Sequence, residues 1–322
     1  MKNKVYLAPM ANVSDNPSFL FMCKKYGCEV LVLPMVFLES LSVNPKFVEE
    51  KLETLFNNSR GTRFNPLIIQ IIGQDIENLE KGMDFLSSFD LQGINYNFGC
   101  PSHKIAKLTL GARMLQFPER RDKMIDAILK HTPFPFSIKI RLMGGKEPNV
   151  KDTAAFCKSL EGKDIEWIAI HGRTIQQGYS GKADWDAIKH IKDAINIPVI
   201  GNGDIANSSQ GLKLISRGFC DAFMIGRAAM KDPRVFLKEP VKDEQENQFE
   251  RMVVLFNDYL SFLEENDQVQ AKRYLSLHEQ KRWLIYFSKG IRGGKVFRDR
   301  LMKVKDINEF PEFLEDYLKN LH

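Results

Sequence analysis

Cys100 stands in the stretch Asn97-Phe98-Gly99-Cys100-Pro101, which follows the apolar run Gly93-Ile94-Asn95-Tyr96 and precedes the basic turn Ser102-His103-Lys104. A thiol between a glycine and a proline marks a place where a strand must break. Pro101 has no N–H with which to continue a ladder, and Gly99 admits a close backbone or ligand. Taken alone, a single cysteine at a strand end is more often packing than chemistry. The residues at the other strand ends change that balance.

Reading the ends of the apolar runs in order gives Ala8-Pro9-Met10-Ala11, then Gln70, then Asn97 with Cys100. Lys139 with Arg141, His171-Gly172-Arg173, Asn202-Gly203-Asp204 and Gly226-Arg227 follow. Each such polar group would cost several kcal/mol if buried without a partner. Their recurrence in the same relative place therefore points to a polar ligand. Asn202-Gly203-Asp204 and Gly226-Arg227 are tight glycine-bearing turns leading into helical segments. As an adjacent pair they describe a phosphate site, where N–H groups and a helix start favour an anion and Arg227 adds a charge-assisted clamp. Lys139 and His171 would then face the organic part of the ligand. A flavin becomes anionic at its N1–C2=O edge when it accepts a hydride, so a nearby cation stabilises the reduced form. Gln70 can both donate to and accept from the other polar edge of the ring.

These residues need a frame. Eight apolar, β-branched runs recur at Val5–Met10, Val30–Met35, Leu67–Ile72, Gly93–Asn97, Phe136–Leu142, Trp167–His171, Pro198–Gly201 and Ala222–Ile225. Near-continuous apolar strands imply a parallel sheet covered on both faces. Segments of helical spacing lie between them, at Ile76–Phe89, Glu119–His131, Val150–Leu160, Asp184–Ala194 and Ser208–Arg217. The alternation predicts a (β/α)8 TIM barrel, with its chemistry at the C-terminal ends of the strands. An open doubly wound sheet is the competitor, but no strand is followed by a G-x-G-x-x-G fingerprint.

The pattern changes after Pro240. Val241–Gln248 is polar and acidic and reads as a short linker. Beyond it, amphipathic patterns predict helices at Phe249–Glu264, Val269–Phe287, Gly294–Met302 and Pro311–Leu321,. The expected division is a barrel domain over residues 1–240 and a helical-bundle domain over 241–322. Between Gln270 and Lys305, 11 basic residues stand against two acids, a local balance of +9 that leaves −4 for the remainder of a chain whose total is +5. A concentrated basic segment fits a polyanion partner as well as a solvated helix face. The aromatics interleaved with it, Tyr274, Trp283, Tyr286, Phe287 and Phe297, read as core.

No segment approaches the roughly 20 apolar residues that span a bilayer, and the run from Val5 begins at once as a strand. The five cysteines are scattered without metal spacing, which fits a reducing cytoplasm and no disulfide framework,. No metal site, membrane association or protein partner is expected, and a monomer is the default.

The chain resembles the tRNA-dihydrouridine synthases over nearly its full length. The matching motifs are Leu7-Ala8-Pro9-Met10, Ile69-Gln70-Ile71-Ile72-Gly73, Asn97-Phe98-Gly99-Cys100-Pro101, Ile138-Lys139-Ile140-Arg141, His171-Gly172-Arg173-Thr174, Ile200-Gly201-Asn202-Gly203-Asp204 and Met224-Ile225-Gly226-Arg227-Ala228. The resemblance implies an FMN-binding barrel with a helical tRNA-binding domain. FMN would rest on Pro9, Met10 and Ala11, with Gln70, Lys139 and His171 around the ring. Asn202, Gly203, Asp204, Gly226 and Arg227 would hold its phosphate. NADPH, or NADH, would reduce the flavin. A tRNA uridine would be flipped out, since a stacked base cannot present its C5–C6 bond. Hydride would pass from flavin N5 to C6, and Cys100 would protonate C5. An ordinary thiol, with a pKa of about 8.5, is largely protonated at neutral pH yet able to give up its proton. Asn97, Arg141, Arg173 and Lys104 fall on the substrate side.

One segment departs from the family pattern. Where many members carry a glycine-rich run after the Cys-Pro, residues 104–113 keep small character only at Gly111 and Ala112. The rival reading is an FMN barrel acting on a free pyrimidine, resembling dihydroorotate dehydrogenase. The basic extension weighs against it, because a small substrate has no use for such a surface.

Overall fold

The computed structural model describes residues 2–53, 55, 64–239, 248–265 and 276–319. Strands β1 (Val5–Leu7), β2 (Val30–Phe37), β3 (Leu67–Ile72), β4 (Gly93–Phe98), β5 (Phe136–Arg141), β6 (Ile168–His171), β7 (Val199–Asn202) and β8 (Ala222–Ile225) pair in chain order. Every pairing is parallel, and β8 returns to β1 to close the cylinder. The helices of this part are α1 (Pro17–Lys25), α2 (Leu38–Val43), α3 (Pro45–Glu53), α4 (Leu79–Ser87), α5 (His103–Lys107), α6 (Pro118–His131), α7 (Val150–Ser159), α8 (Trp185–Ala194), α9 (Ser208–Ser216) and α10 (Arg227–Lys231). The result is the (β/α)8 barrel that the alternation predicts.

Local chemistry sets the helix starts. Asn16, Asn149, Asp184 and Asn207 each accept from the amide three residues on, which satisfies one orphan donor of α1, α7, α8 and α9,. Pro17 and Pro118 occupy first-turn positions, where the missing N–H costs nothing,. Two strand ends differ from expectation by more than one residue. β1 stops at Leu7 rather than Met10, although the Ala8 amide still reaches the Ile225 carbonyl at 2.8 Å. β2 runs on to Phe37, and its register slips between Leu33 and Val36, across Pro34, which has no ladder donor,.

Strand periodicity divides the barrel interior into an apolar floor and a polar mouth. Tyr6, Ala8, Val30, Val32, Ile68, Trp167, Ala169, Ile200, Ala222 and Met224 form one buried cluster. Two residues further along the same strands come Gln70, His171 and Asn202, with Asn97 and Lys139 as cross-strand neighbours,. Alternate residues such as Leu31, Ile69, Ile94, Ile138, Ile170 and Phe223 belong to the larger core beneath the helices. Each fully buried side chain of that kind contributes about 1.5–3 kcal/mol. The polar mouth therefore rests on a rigid, dry base.

Beyond the barrel, α11 (Gln248–Glu265), α12 (Leu277–Phe287), α13 (Gly294–Leu301) and α14 (Phe310–Lys319) are all helical. Trp283, Phe287 and Phe297 are fully buried among aromatic neighbours, and Tyr286 is half-buried. These helices dock on α1. Trp283 stacks on Phe19 at 4.8 Å, Asn16 donates to the Tyr259 hydroxyl at 3.4 Å, and Asp258 takes both the Lys25 ammonium and the Tyr26 hydroxyl. The expected linker over residues 241–247, the start of the helix expected from Val269, and Lys272, Arg273 and Tyr274 lie outside the described residues. Cys23, Cys28, Cys157 and Cys220 are buried free thiols, whereas Cys100 is half-exposed. No helix among the described residues is long and apolar enough to cross a membrane.

Candidate active site

A cavity of about 890 Å³ opens at the C-terminal ends of the strands. Met10, Gln70, Asn97, Cys100, Lys139 and His171 line it, together with the turns at Asn202–Asp204 and Gly226–Arg227. The barrel thus brings most of the residues singled out in the sequence around one space. Its charge is one-sided: Lys139, Arg141, Arg227, Lys231 and Lys289 contribute cations, and Asp204 is the one carboxylate among its lining residues.

A buried polar relay crosses the mouth. The Ser137 hydroxyl, which donates to the Ile94 carbonyl, accepts from Asn95 at 3.0 Å. The Asn95 oxygen accepts from Gln70 Nε2 at 2.7 Å, and the Gln70 oxygen accepts from Asn97 Nδ2 at 2.7 Å. Asn97 Oδ1 then receives the backbone amides of Gly99 and Cys100 at 2.9 and 2.8 Å. Gln70, Asn95 and Ser137 are register neighbours across β3, β4 and β5, which is why the chain of carboxamides can form. Each member is satisfied, so the relay is rigid rather than costly. Gln70 keeps one N–H and one lone pair for a ligand.

Cys100 is fixed from behind as well. Gly111 has φ +59, and a Cβ placed there would lie 2.8 Å from the Cys100 carbonyl oxygen and 3.0 Å from its Cβ. The Ala112 amide donates to that same carbonyl at 3.2 Å. The two small residues retained in the 104–113 segment therefore back the thiol directly.

Lys139 and His171 carry the strongest electrostatic perturbations of the mouth. Burial, and then the neighbouring Arg141, lower the Lys139 ammonium to about 7,. Among the described residues it has no carboxylate partner. Burial also drives His171 well below its ordinary range, and Lys139, Arg141, Arg173 and Arg227 add to the effect, so its imidazole is neutral. Its Nδ1 is buried without a hydrogen-bond partner. An unpaired ammonium beside an unpaired imidazole nitrogen is the donor set of a site shaped for a polar, electron-rich ligand.

The turns after β7 and β8 form a second corner. Gly203 has φ +124, and a Cβ there would meet that of Ala183 at 2.7 Å; only glycine fits,. Asp204 follows in the left-handed region at φ 54. α10 begins immediately after Gly226, so its first amides are orphan donors beside Arg227,. Asp204 takes Arg173 at 2.6 Å and Arg227 at 3.1 Å. Burial alone would raise this carboxyl, but hydrogen bonds from Arg173 and the Ala183 amide, with the charges of Arg173 and Arg227, hold it below the usual range. Its carboxylate orients Arg227 rather than facing an anion. Asn202 is buried with its amide donating to the Met224 carbonyl at 2.8 Å.

Arg141 and Arg173 hold a loop. Arg141 donates from Nε to the Gly99 carbonyl at 2.9 Å, and from Nη1 to Thr174 at 3.1 Å and Gly178 at 2.7 Å. Its Nη2 hydrogens remain for the cavity. Arg173 is buried and donates to the Ser180 and Gly181 carbonyls, and it does not line the cavity. Lys104 is exposed on α5 and likewise stands apart from the cavity. The loop these arginines hold presents Tyr179, 60% exposed, with the Arg227 guanidinium 4.7 Å and that of Arg141 5.5 Å from its ring centre. Tyr179 lines the cavity and was not apparent from the sequence. It lies in a polar, glycine-containing segment without periodicity.

Comparison with known proteins gives a consistent result. A family model described as dihydrouridine synthase matches residues 6–322. The chain is 33% identical over 239 residues to tRNA-dihydrouridine synthase B of Vibrio parahaemolyticus, covering 73% of this chain and 70% of that protein. It is 29% identical over 233 residues to a probable tRNA-dihydrouridine synthase of Rhizobium leguminosarum, covering 72% and 70%. Among solved structures, a 2-naphthoyl-CoA reductase in complex with 2-naphthoyl-CoA superposes with a TM-score of 0.54 at 13% identity, covering 73% of this chain and 49% of the other. Histamine dehydrogenase from Rhizobium sp. 4-9 gives 0.51 at 13% identity, covering 73% and 45%. At such identities the two structures speak for the barrel fold alone.

Proposed function

Since the chain belongs to the dihydrouridine synthase family, we propose that it reduces the C5–C6 bond of uridines in tRNA, using FMN as cofactor and NADPH or NADH as reductant. The observation that carries this reading is a thiol, Cys100, in the wall of the same cavity as unpaired Lys139 and His171 and the two glycine turns. When bound, the flavin supplies two-electron hydride chemistry that amino-acid side chains lack.

The residues present fit such a group. Gly203, Gly226 and Arg227 would hold the phosphate; Asp204 serves by orienting Arg227. Met10, Ala11, Gln70, Lys139 and His171 would hold the ring. Lys139, carried in a poorly solvated wall, stabilises negative charge that develops against it more strongly than a surface lysine does. Neutral His171 adds a hydrogen bond without a competing charge.

On the substrate side, the base must leave its stack to enter the cavity. Arg141 has its two Nη2 hydrogens free for the carbonyl groups of a uracil, and the exposed ring of Tyr179 offers it a flat wall. Asn97 fixes the main chain of Cys100, so the thiol meets the base at a set position. The Cys100 proton passes to C5, and the thiolate left behind lies in a cavity rich in cations, which lowers the cost of that step. Action on tRNA places the protein in the cytoplasm in this reading. The helices beyond residue 247, with their basic residues, would serve as the RNA-docking part of a two-domain chain.

Purified protein should be yellow, and with NADPH it should convert uridine to dihydrouridine in an unmodified tRNA transcript. Mass spectrometry of the RNA tests this. Protein that carries flavin and is reduced, yet yields no dihydrouridine from any tRNA, would overturn the reading.

A further inference from the structure

Lys289 lines the barrel cavity although it comes from the segment after α12, and no other residue beyond Lys231 lines it among the described residues. Its ammonium rests 4.6 Å from the centre of the Tyr286 ring, which limits its freedom,. α12 is itself held to the barrel. Arg282 donates to the Asn12 carbonyl in the loop after β1, and Trp283 stacks on Phe19. Lys289 is thus fixed relative to the mouth rather than swinging in solvent.

Lys231, at the end of α10, lines the same cavity. Lys231 lies four residues after Arg227 and so shares its helix face. Arg227 is already engaged by Asp204 and Tyr179. Lys231 and Lys289 have no carboxylate partner among the described residues, although two segments distant in the chain bring them to one cavity. Gathering unpaired like charges around one space is unfavourable unless an anion completes it. The corner at Gly203, Gly226 and Arg227 has its own donors, so the two lysines remain for a second phosphate.

We propose that Lys231 and Lys289 form a phosphate subsite for the RNA backbone next to the flipped nucleotide. The inference rests on the tRNA reading above. A phosphate of the nicotinamide reductant has the same chemistry, but the surroundings favour RNA. From Lys289 the basic residues continue outward through Arg292 and Lys295, both exposed and also without a carboxylate partner among the described residues. A long polyanion following that path would enter the cavity past Lys289, whereas a small reductant gains nothing from the outer residues.

The test uses the full-length flavin-loaded protein with Lys289→Ala, Lys289→Glu and Lys289→Arg, and an unmodified tRNA transcript. Fluorescence anisotropy across a salt series should show Lys289→Ala weakening tRNA binding by ~3–10-fold, with the slope of log Kd against log salt reduced by about 1. Lys289→Glu should weaken it further, and Lys289→Arg should restore it. Lys231→Ala should behave like Lys289→Ala, and the KM for the reductant should stay put. Unchanged tRNA affinity and slope in both Lys289→Ala and Lys289→Glu would overturn the subsite. A rise confined to the reductant's KM would overturn it in favour of the nicotinamide source. If the wild-type protein makes no dihydrouridine but the variants still lose RNA affinity, the subsite stands and the catalytic reading falls. Dihydrouridine formation with wild-type tRNA affinity in Lys289→Glu would sink the subsite alone.

Discussion

The side-chain oxygen of Asn97 lies 2.8 Å from the backbone nitrogen of Cys100. The strand that carries Asn95 and Asn97 of the carboxamide relay therefore also fixes the loop that presents the thiol. Replacing Asn97 with Ala leaves two backbone amides and Gln70 Oε1 without their partner. Each buried unsatisfied group costs ~1–3 kcal/mol. Asn97→Ala should lower the urea midpoint and slow tRNA reduction more than it weakens flavin retention. Equal losses of flavin and of product formation would show that Asn97 acts on the cofactor rather than on the cysteine loop.

Cys100→Ala removes the proposed proton donor and nothing from the relay. It should stay yellow and be reduced by NADPH, while dihydrouridine formation falls by ~10²–10⁴-fold. Stopped-flow traces separate the two half-reactions. Product at the normal rate would end the assignment of Cys100 as acid.

Lys139 makes the flavin-free protein sensitive to pH. The folded-state value of about 7 lies below the ordinary 10.5, because burial disfavours the charged form. Below pH 7 the group is protonated folded and unfolded alike, and the full cost of burying the charge opposes folding. Between pH 7 and 10 the unfolded chain binds more protons, so this group's contribution to stability improves as pH rises. The thermal midpoint of the apoprotein, taken relative to Lys139→Met, should therefore climb over that interval. A flat difference would mean that Lys139 is well solvated when the site holds no flavin.

Arg173 links the loop bearing Tyr179 to the turn bearing Arg227. Its ion pair with Asp204 joins a 2% exposed guanidinium to a carboxylate 35% exposed. Arg173→Ala should cost less than the roughly 3–5 kcal/mol of breaking a fully buried pair, since water can reach the stranded carboxylate. The loop carbonyls of Ser180 and Gly181 lose their donor, so limited proteolysis near Gly181 should accelerate and the KM for tRNA should rise. Proteolysis at the wild-type rate would show that Arg141 alone is enough to hold the loop.

The barrel was legible because its strands are short apolar runs separated by helical spacing, and because Gln70, Lys139 and His171 interrupt those runs where polarity needs a reason. The pair of turns after β7 and β8 was legible for the same reason, since Gly203 and Gly226 punctuate consecutive strand ends. What escaped depends on the third dimension. Asn95 and Ser137 look like ordinary interruptions until register sets them beside Gln70. Arg173 reads as a ligand contact, but its Nε and Nη2 hydrogens go to the carbonyls of its own loop and to Asp204. Tyr179 sits in a loop with no periodicity to give it away. Lys231 and Lys289 join the site only because distant segments meet.

The loop after β1 serves two masters. Met10, Ala11 and Val13 wall the cavity, while Asn12 and Asn16 are gripped by Arg282 and Tyr259 from the later helices. The barrel and the helices proposed to dock RNA are consequently not separable modules that could be traded between relatives at will. A barrel deprived of its helices would bare Phe19 to water and lose a brace on the rim of its own mouth, so the two halves must have been shaped as one piece.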